Sequence, residues 1–375
     1  FINEIFGMEK GNQVLIKQAK LMASNPSERT ICARLMNDRF ALCLPREEFD
    51  EKRVADSIKE LQREFSGNSF HLHTYMGVYE IRDRDEAVSI MVDKANIAAD
   101  TIKNNYDCCV AYYDEHLLEI SIEQRRLLGE FEPALQNDEF VMYLQPQVKR
   151  DGAAKGAEAL VRWVHPSRGI LTPYAFIDIL ENAGLIYKLD LYIWEKAAQK
   201  LAEWKEKGYG SYHISVNIST KDFYIIDIYE TFTGLINKYD ISASNLHLEI
   251  TETTLMTDFE KNMNIIHKLQ GVGFRVEIDD FGSGYSSLNM LKDISADVLK
   301  IDMGFLRKSE NEVKGQDILE SIITLAGKIG MDVITEGVET KKQLDMLTMM
   351  GCHEFQGYYF SKPVPVSEFE EKYLV

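Results

Sequence analysis

The sequence predicts an α/β protein: a TIM-type (β/α)8 barrel preceded by a smaller, partial α+β domain. Three observations predict it. From Val141 onward, short apolar strands, polar loops and amphipathic helices repeat about eight times over roughly 235 residues, which is the rhythm an eight-stranded barrel needs. Nearly every strand of that repeat closes on a polar residue able to bind metal or phosphate. The first 115 or so residues lack the repeat and mix short strands with helices in the order of a small α+β sandwich.

In the first region, Asn12 to Met22 and Asp85 to Lys103 carry helical periodicity, while Thr30 to Met36, Phe40 to Leu44 and His71 to Tyr79 read as strands. The polar pair Asn37-Asp38 joins the first two strands. A charged, leucine-containing stretch from Glu115 to Leu135 predicts a connecting helix. The divisions expected are therefore residues 1–115, 116–136 and 137–375. In the last of these, the strands are Val141–Gln147, Gly156–Val164, His213–Ile218, Leu246–Ile250, Arg275–Ile278, Val298–Ile301, Asp332–Thr335 and Glu354–Tyr358. Thr172-Pro173 caps a helix starting at Tyr174. Two others run from about Leu189 to Gly208 and from Asp258 to Gly271, each stopped by its glycine.

Composition narrows the function classes. Of 375 residues, 60 are acidic and 42 basic, a formal net charge of −18 that repels nucleic-acid polymers. A small phosphate ligand stays compatible with that field if bound cations invert it locally. No run of about 18 apolar residues occurs, so no membrane contact is expected from this segment. The five cysteines are odd in number and lack metal-ligand spacing, which suits free thiols in a reducing cytoplasm. The opening Phe1-Ile2-Asn3-Glu4 has neither an initiator Met nor a basic signal region, so a longer protein with an upstream sensor or membrane segment is expected.

The chemistry lies at the C-terminal ends of the strands, the face where barrel enzymes assemble their sites. Glu158, Asn217 and Glu249 lie on the second, third and fourth strands. Asp279 and Asp280 end the fifth, Lys300 lies near the end of the sixth, Glu336 follows the seventh and Gln356 sits on the eighth. A single acid at a strand end is usually a solvated loop residue, and Gly282 and Gly284 are usually turn formers. Recurrence at successive strand ends is what loops do not explain. Carboxylates and an amide oxygen are hard ligands that suit Mg2+ or Mn2+, and no histidine joins them. Five carboxylates near one axis need cations or protons. Two metals about 3.5–4 Å apart would relieve the repulsion and form a clamp for attack on phosphorus, with Lys300 beside the attacking water or a phosphoryl oxygen.

These residues stand in ordered motifs: Glu158-Ala159-Leu160-Val161-Arg162-Trp163, Val216-Asn217-Ile218-Ser219, Glu249-Ile250-Thr251-Glu252, Asp279-Asp280-Phe281-Gly282-Ser283-Gly284-Tyr285, Lys300-Ile301-Asp302, Glu336-Gly337-Val338-Glu339, Gln356-Gly357-Tyr358 and Ser361-Lys362-Pro363. The stretch from about 124 to 375 thereby resembles the EAL-domain family of cyclic di-GMP phosphodiesterases. The resemblance implies hydrolysis of cyclic di-GMP to linear pGpG with two divalent ions, Mg2+ or Mn2+. It implies Glu158, Asn217, Glu249 and Asp279 as ligands of one ion, and Asp279, Asp280 and Glu336 as ligands of the other, with Gln356 reached through water. Lys300 would orient or activate the water, and Glu336 is the other candidate for its proton. Arg162 would hold a phosphate, with Gln145, Gln356 and Pro363 among the substrate contacts. Glu252 would steady the loop that begins at Asp280, and the family pairs as homodimers through this domain. Ser283 stands where Thr is common; no catalytic position is lost.

The first region resembles a GGDEF (diguanylate cyclase) domain in degenerate form. Ile2-Asn3-Glu4-Ile5-Phe6-Gly7 matches an early family segment, but Met36-Asn37-Asp38-Arg39-Phe40 replaces Gly-Gly-Asp-Glu-Phe. Both glycines that admit the triphosphate are gone, and Arg39 replaces an acid that helps hold metal. Asn12 replaces an Asp expected at guanine, the first strand with its metal-binding Asp is expected to be missing, and Ser27-Glu28-Arg29-Thr30 lacks the inhibitory motif. Cyclase activity is not expected; a regulatory or dimerising role is, with a nucleotide sensor as the alternative. For the barrel, the competing readings are a silent cyclic di-GMP receptor and a scaffold that only dimerises.

Overall fold

The computed structural model describes residues 2–23, 27–65, 72–103, 105, 108–281, 294–302 and 312–374. The chain divides into two compact units, Phe1–Arg126 and Leu127–Val375. No helix among the described residues is long and apolar enough to cross a membrane.

The first unit contains α1 (Ile2–Ala23), β1 (Ile31–Arg34), β2 (Phe40–Cys43), α2 (Glu51–Phe65), β3 (Met76–Val78), α3 (Val88–Asp100) and β4 (Val110–Tyr112). The β1–β2 pair is an antiparallel hairpin, and β3 pairs with β4 in parallel. The hairpin turn is the degenerate signature. Its end is closed by Leu35 N donating to Arg39 O and Arg39 N to Met36 O, both at 2.9 Å. Asn37 takes φ 55°, a left-handed conformation that Asn tolerates better than most residues. The turn shape thus outlives its glycines, while side chains now stand where bare backbone would admit a phosphate. The expected strand His71–Tyr79 shrinks to Met76–Val78; residue 71 is outside the described residues. Small apolar clusters hold this unit, Val14 with Leu61 and Leu72, and Ile58 with Cys109 and Val110.

Helix α4 (Glu115–Gln136) spans the division at Arg126. Beyond it come β5 (Phe140–Lys149), β6 (Ala154–His165), β7 (Gly169–Leu171), α5 (Ile177–Ala183), α6 (Ile186–Glu206), β8 (His213–Ile218), α7 (Asp222–Ile225), α8 (Ile228–Tyr239), β9 (Leu246–Thr251), α9 (Glu252–Thr257) and α10 (Phe259–Val272). The chain continues through β10 (Val276–Phe281), β11 (Val298–Asp302), α11 (Glu312–Lys328), β12 (Asp332–Glu336), α12 (Lys341–Met349), β13 (Glu354–Phe355), β14 (Val364–Pro365) and α13 (Val366–Tyr373).

Eight strands close into a ring in the order β5-β13-β12-β11-β10-β9-β8-β6, with β6 returning to β5. From β6 through β13 the neighbours run parallel around the ring. Strand β5 alone runs antiparallel to both of its ring neighbours, joined to β6 by a tight turn. Alternation then sorts the side chains. Ile214, Val216, Ile218, Leu246, Leu248, Ile250, Val276, Ile278, Leu299 and Ile301 are almost wholly buried in the apolar core that the helices cover. The intervening residues, among them Asn217, Glu249, Asp279 and Lys300, face the lumen. Burying a lumen of charged groups costs free energy unless they are paired, so the outer apolar layer carries the fold and the lumen carries chemistry.

Candidate functional site at the C-terminal mouth of the barrel

At the centre of this mouth is Lys300 on β11, 1% exposed. Its ammonium lies 2.7 Å from Glu336 Oε1, 2.9 Å from Glu249 Oε2 and 3.4 Å from both Glu158 Oε2 and Asp279 Oδ1. Four strands, β6, β9, β10 and β12, thus each aim one carboxylate at a fifth strand's cation. Asn217 on β8 donates from Nδ2 to Glu158 Oε1 at 3.0 Å, and Gln356 donates to Glu158 Oε2 at 2.6 Å and to Gln145 Oε1 at 3.3 Å. Gln145 in turn donates to Ser361 O at 3.4 Å, which ties β5 to the segment before β14 where Pro363 lies.

The electrostatics follow from the crowding. Burial pushes Glu249 well above the usual carboxylate range, and the neighbouring Glu158 raises it further. Burial raises Glu336 to about 8 despite the opposing pull of Lys300. Burial works against the charge of Lys300, but Asp279, Glu158, Glu249 and Glu336 outweigh it and hold the amine well above its ordinary value. One ammonium does not satisfy the donor demand of four acids. Glu249 Oε1 is buried without a partner, and Glu249 Oε2, Asp279 Oδ1 and Glu336 Oε1 meet no donor but the one shared ammonium. Orphaned hard oxygens of this kind fit divalent cations such as Mg2+ or Mn2+. In this arrangement the oxygens gather on the ammonium and not on one another: no three of these acids bring ligand atoms within 4.8 Å of each other.

The remaining sequence-expected residues lie around this centre. Asp280, the last residue but one of β10, falls within a register shift and takes φ 56°, so the backbone departs from strict alternation there. Asp279 therefore stays in the lumen while Asp280 is exposed at the rim. Arg162, farther along β6, donates to Val161 O at 2.8 Å, and its guanidinium lies 5.5 Å from the Tyr143 ring centre. Glu252 opens α9, behind the capping Thr251, whose side chain accepts from Thr254 N. The loop it was expected to steady, with Gly282, Ser283, Gly284 and Tyr285, lies outside the described residues. Tyr143, beneath Arg162, was not singled out by the sequence; its place on β5 two residues before Gln145 was the available signal. Also passed over were the inward residues below the strand ends, His213, His247 and Glu277, which the period of two puts on the same lumen face.

Known proteins bear on this geometry directly. The family model for the EAL domain matches residues 129–363, and the chain belongs to that family. Residues 1–107 match the diguanylate cyclase GGDEF domain. The chain is 30% identical over 377 residues to the bifunctional diguanylate cyclase/cyclic di-GMP phosphodiesterase MucR of Pseudomonas aeruginosa, covering 98% of this chain and 54% of that protein. The cyclic di-GMP phosphodiesterase NbdA of the same organism is 28% identical over 375 residues, with 99% and 48% covered. The chain thus spans about half the length of these curated relatives. The structure of the PaMucR phosphodiesterase in a c-di-GMP complex superimposes with a TM-score of 0.62 at 33% identity, covering 65% of this chain and 99% of that one.

Proposed function

We propose that the chain hydrolyses cyclic di-GMP to linear pGpG at the C-terminal mouth of its barrel. The observation that carries this is the ring of four buried acids around Lys300, with acceptor oxygens left over for cations, inside the family's motifs. Glu158, Asn217, Glu249 and Asp279 would hold one divalent ion, and Asp279, Asp280 and Glu336 a second, Mg2+ or Mn2+. Bound there, the ions would supply Lewis acidity and a nucleophilic water at neutral pH.

The chain's own residues do the positioning. Gln356 and Asn217 pin the two oxygens of Glu158, fixing its orientation. Lys300 holds a positive charge where a phosphoryl oxygen gains negative charge in the transition state, the place where a fixed cation helps most. Arg162, stacked on Tyr143 at the rim, is placed to pair with a second phosphate, and its planar fork suits that geometry. Gln145, Gln356 and Pro363 line the substrate side. The lumen walls exclude bulk water from Lys300 and Glu249, which strengthens each of these interactions.

Chromatography of purified chain with cyclic di-GMP and Mg2+ or Mn2+ tests the proposal. Metal-dependent pGpG, lost on adding EDTA, is the expected result; intact substrate under every metal condition would favour the silent receptor. The same reading carries a homodimer through the barrel domain, a cytoplasmic location and a regulatory first unit without cyclase activity. Sedimentation and an assay with GTP check the dimer and the missing cyclase.

A further inference from the structure

The opposite end of the same lumen holds a second polar cluster. His213 on β8, His247 on β9 and Glu277 on β10 are buried, and one ligand atom from each lies within 4.8 Å of the others. They belong to the first two residues of their strands, so they sit at the N-terminal mouth, below the acids already described. We propose that these three residues bind a divalent cation of the zinc class, at a site separate from the hydrolytic centre.

Four observations carry this. The donor set is two imidazoles and one carboxylate, which zinc accepts in three-ligand sites that keep an open position. Glu277 is 0% exposed, yet its Oε2 has no donor, so a buried carboxylate oxygen is left for a cation. The histidines are held as ligands usually are, with the far nitrogen on a protein acceptor. Gln147 Oε1 accepts from His213 Nε2 at 2.7 Å, leaving the other nitrogen its lone pair, and Ser244 O accepts from His247 Nε2 at 3.2 Å. His247 Nδ1 and Glu277 Oε1 then face each other at 2.6 Å. A cation would replace the proton they share, and the pair would open toward the roughly 3.4 Å that tetrahedral zinc bonds impose.

Space and access are also built. The two imidazoles stack at 3.8 Å with an interplanar angle of 4°, so one ring has to turn before both lone pairs meet a single ion. Gly156 on β6 makes room for the first of them: a Cβ there would lie 2.5 Å from the His213 ring. A cavity of about 480 Å3 opens onto the cluster from outside the barrel, giving a path in and room for a fourth ligand such as water. The basic side chains at its rim are each paired with a carboxylate. Lys155 is paired with Glu354, and Arg275 with Asp332 at 2.6 Å.

The test uses the full chain, stripped by a chelator and returned to excess Mg2+, then titrated with Zn2+ and, separately, Co2+. The hydrolytic centre contains no histidine, so imidazole ligation reports on this site. One retained equivalent of zinc with imidazole scattering in its X-ray absorption spectrum is expected, together with the strong visible bands of low-coordinate Co2+. His213→Ala and His247→Ala should each lose both signals while Mg2+-dependent turnover persists. Oxygen-only ligation in the wild type would overturn the proposal and leave a buried His–Glu ion pair. So would imidazole ligation that survives both substitutions. The wild-type spectrum decides the matter even where a variant fails to fold.

Discussion

The two ends of one barrel lumen solve the problem of buried charge in opposite ways. At the C-terminal mouth, four acids surround a lysine, and no three of them form a preassembled ligand set. At the N-terminal mouth, one acid is matched by two imidazoles, with one ligand atom from each of the three within 4.8 Å of the others. The two ends share strands: His247 precedes Glu249 by two residues, and Glu277 precedes Asp279 by two. One alternating pattern therefore delivers carboxylates to both ends and imidazoles to the lower one. The upper end carries an excess of acid over its one cation, whereas the lower end sets one acid against two imidazoles.

That contrast breaks most sharply at Lys300. Lys300→Met removes the built-in cation and leaves four acids unpaired, so turnover should fall by on the order of 10²–10³. Without divalent ions, stability should drop by about 3–5 kcal/mol, since an unpaired buried charge is left behind. Thermal unfolding with and without Mn2+ checks this; a loss of stability that metal does not restore would contradict the ligand assignment. Glu158→Ala should abolish hydrolysis while leaving the fold intact, because Asn217 and Gln356 are neutral and Lys300 keeps three other carboxylates. Retained pGpG formation would remove Glu158 from the ligand set.

The lower end should respond in stability and not in chemistry. Gly156→Ala forces a methyl group against His213 and should cost about 1–3 kcal/mol. That would appear as a lower Tm with metal-dependent turnover retained; an unchanged Tm would show that the ring moves aside freely. The smallest effect is expected outside the lumen, where Asp190 on α6 meets Asp222 on α7. Burial raises both carboxyls, the charge of Asp222 raises Asp190 further, and a hydrogen bond between them shares one proton. A group whose folded pKa is raised stabilises at low pH and loses that contribution as pH rises through the folded value. Asp190→Asn should therefore flatten the decline of Tm from acid to neutral pH, and parallel wild-type and variant profiles would count against the shared proton.

Much of this was legible because β8 to β12 are short apolar strands with a strict period of two, which fixes both their limits and their inner face. Two features escaped. Glu354–Tyr358 reads as a continuous strand but stops at Phe355. Gly357 passes so near Val338 that a Cβ would lie 2.2 Å from its carbonyl oxygen, and the chain turns there instead of pairing. The direction of β5 is likewise invisible to periodicity, since alternation looks the same read either way. The site residues stood out through their motifs, whereas His213, His247 and Glu277 sit in no motif and are found only by following each strand's inner face downward.

The reversal of β5 decides where the barrel is anchored to what comes before it. With every strand in the same sense, the first would begin at the N-terminal mouth, and a preceding segment would be fastened there. Here Phe140 pairs with Trp163, five residues beyond the level of Glu158, so the polypeptide enters on the substrate side. Any shortening, lengthening or twist of the segment leading into β5 is mechanically nearest to Tyr143 and Gln145, the residues that steady Arg162 and Gln356. The start of β5 thus lies on the same side as the ring of acids, and the cluster at the far mouth is the length of the strand away.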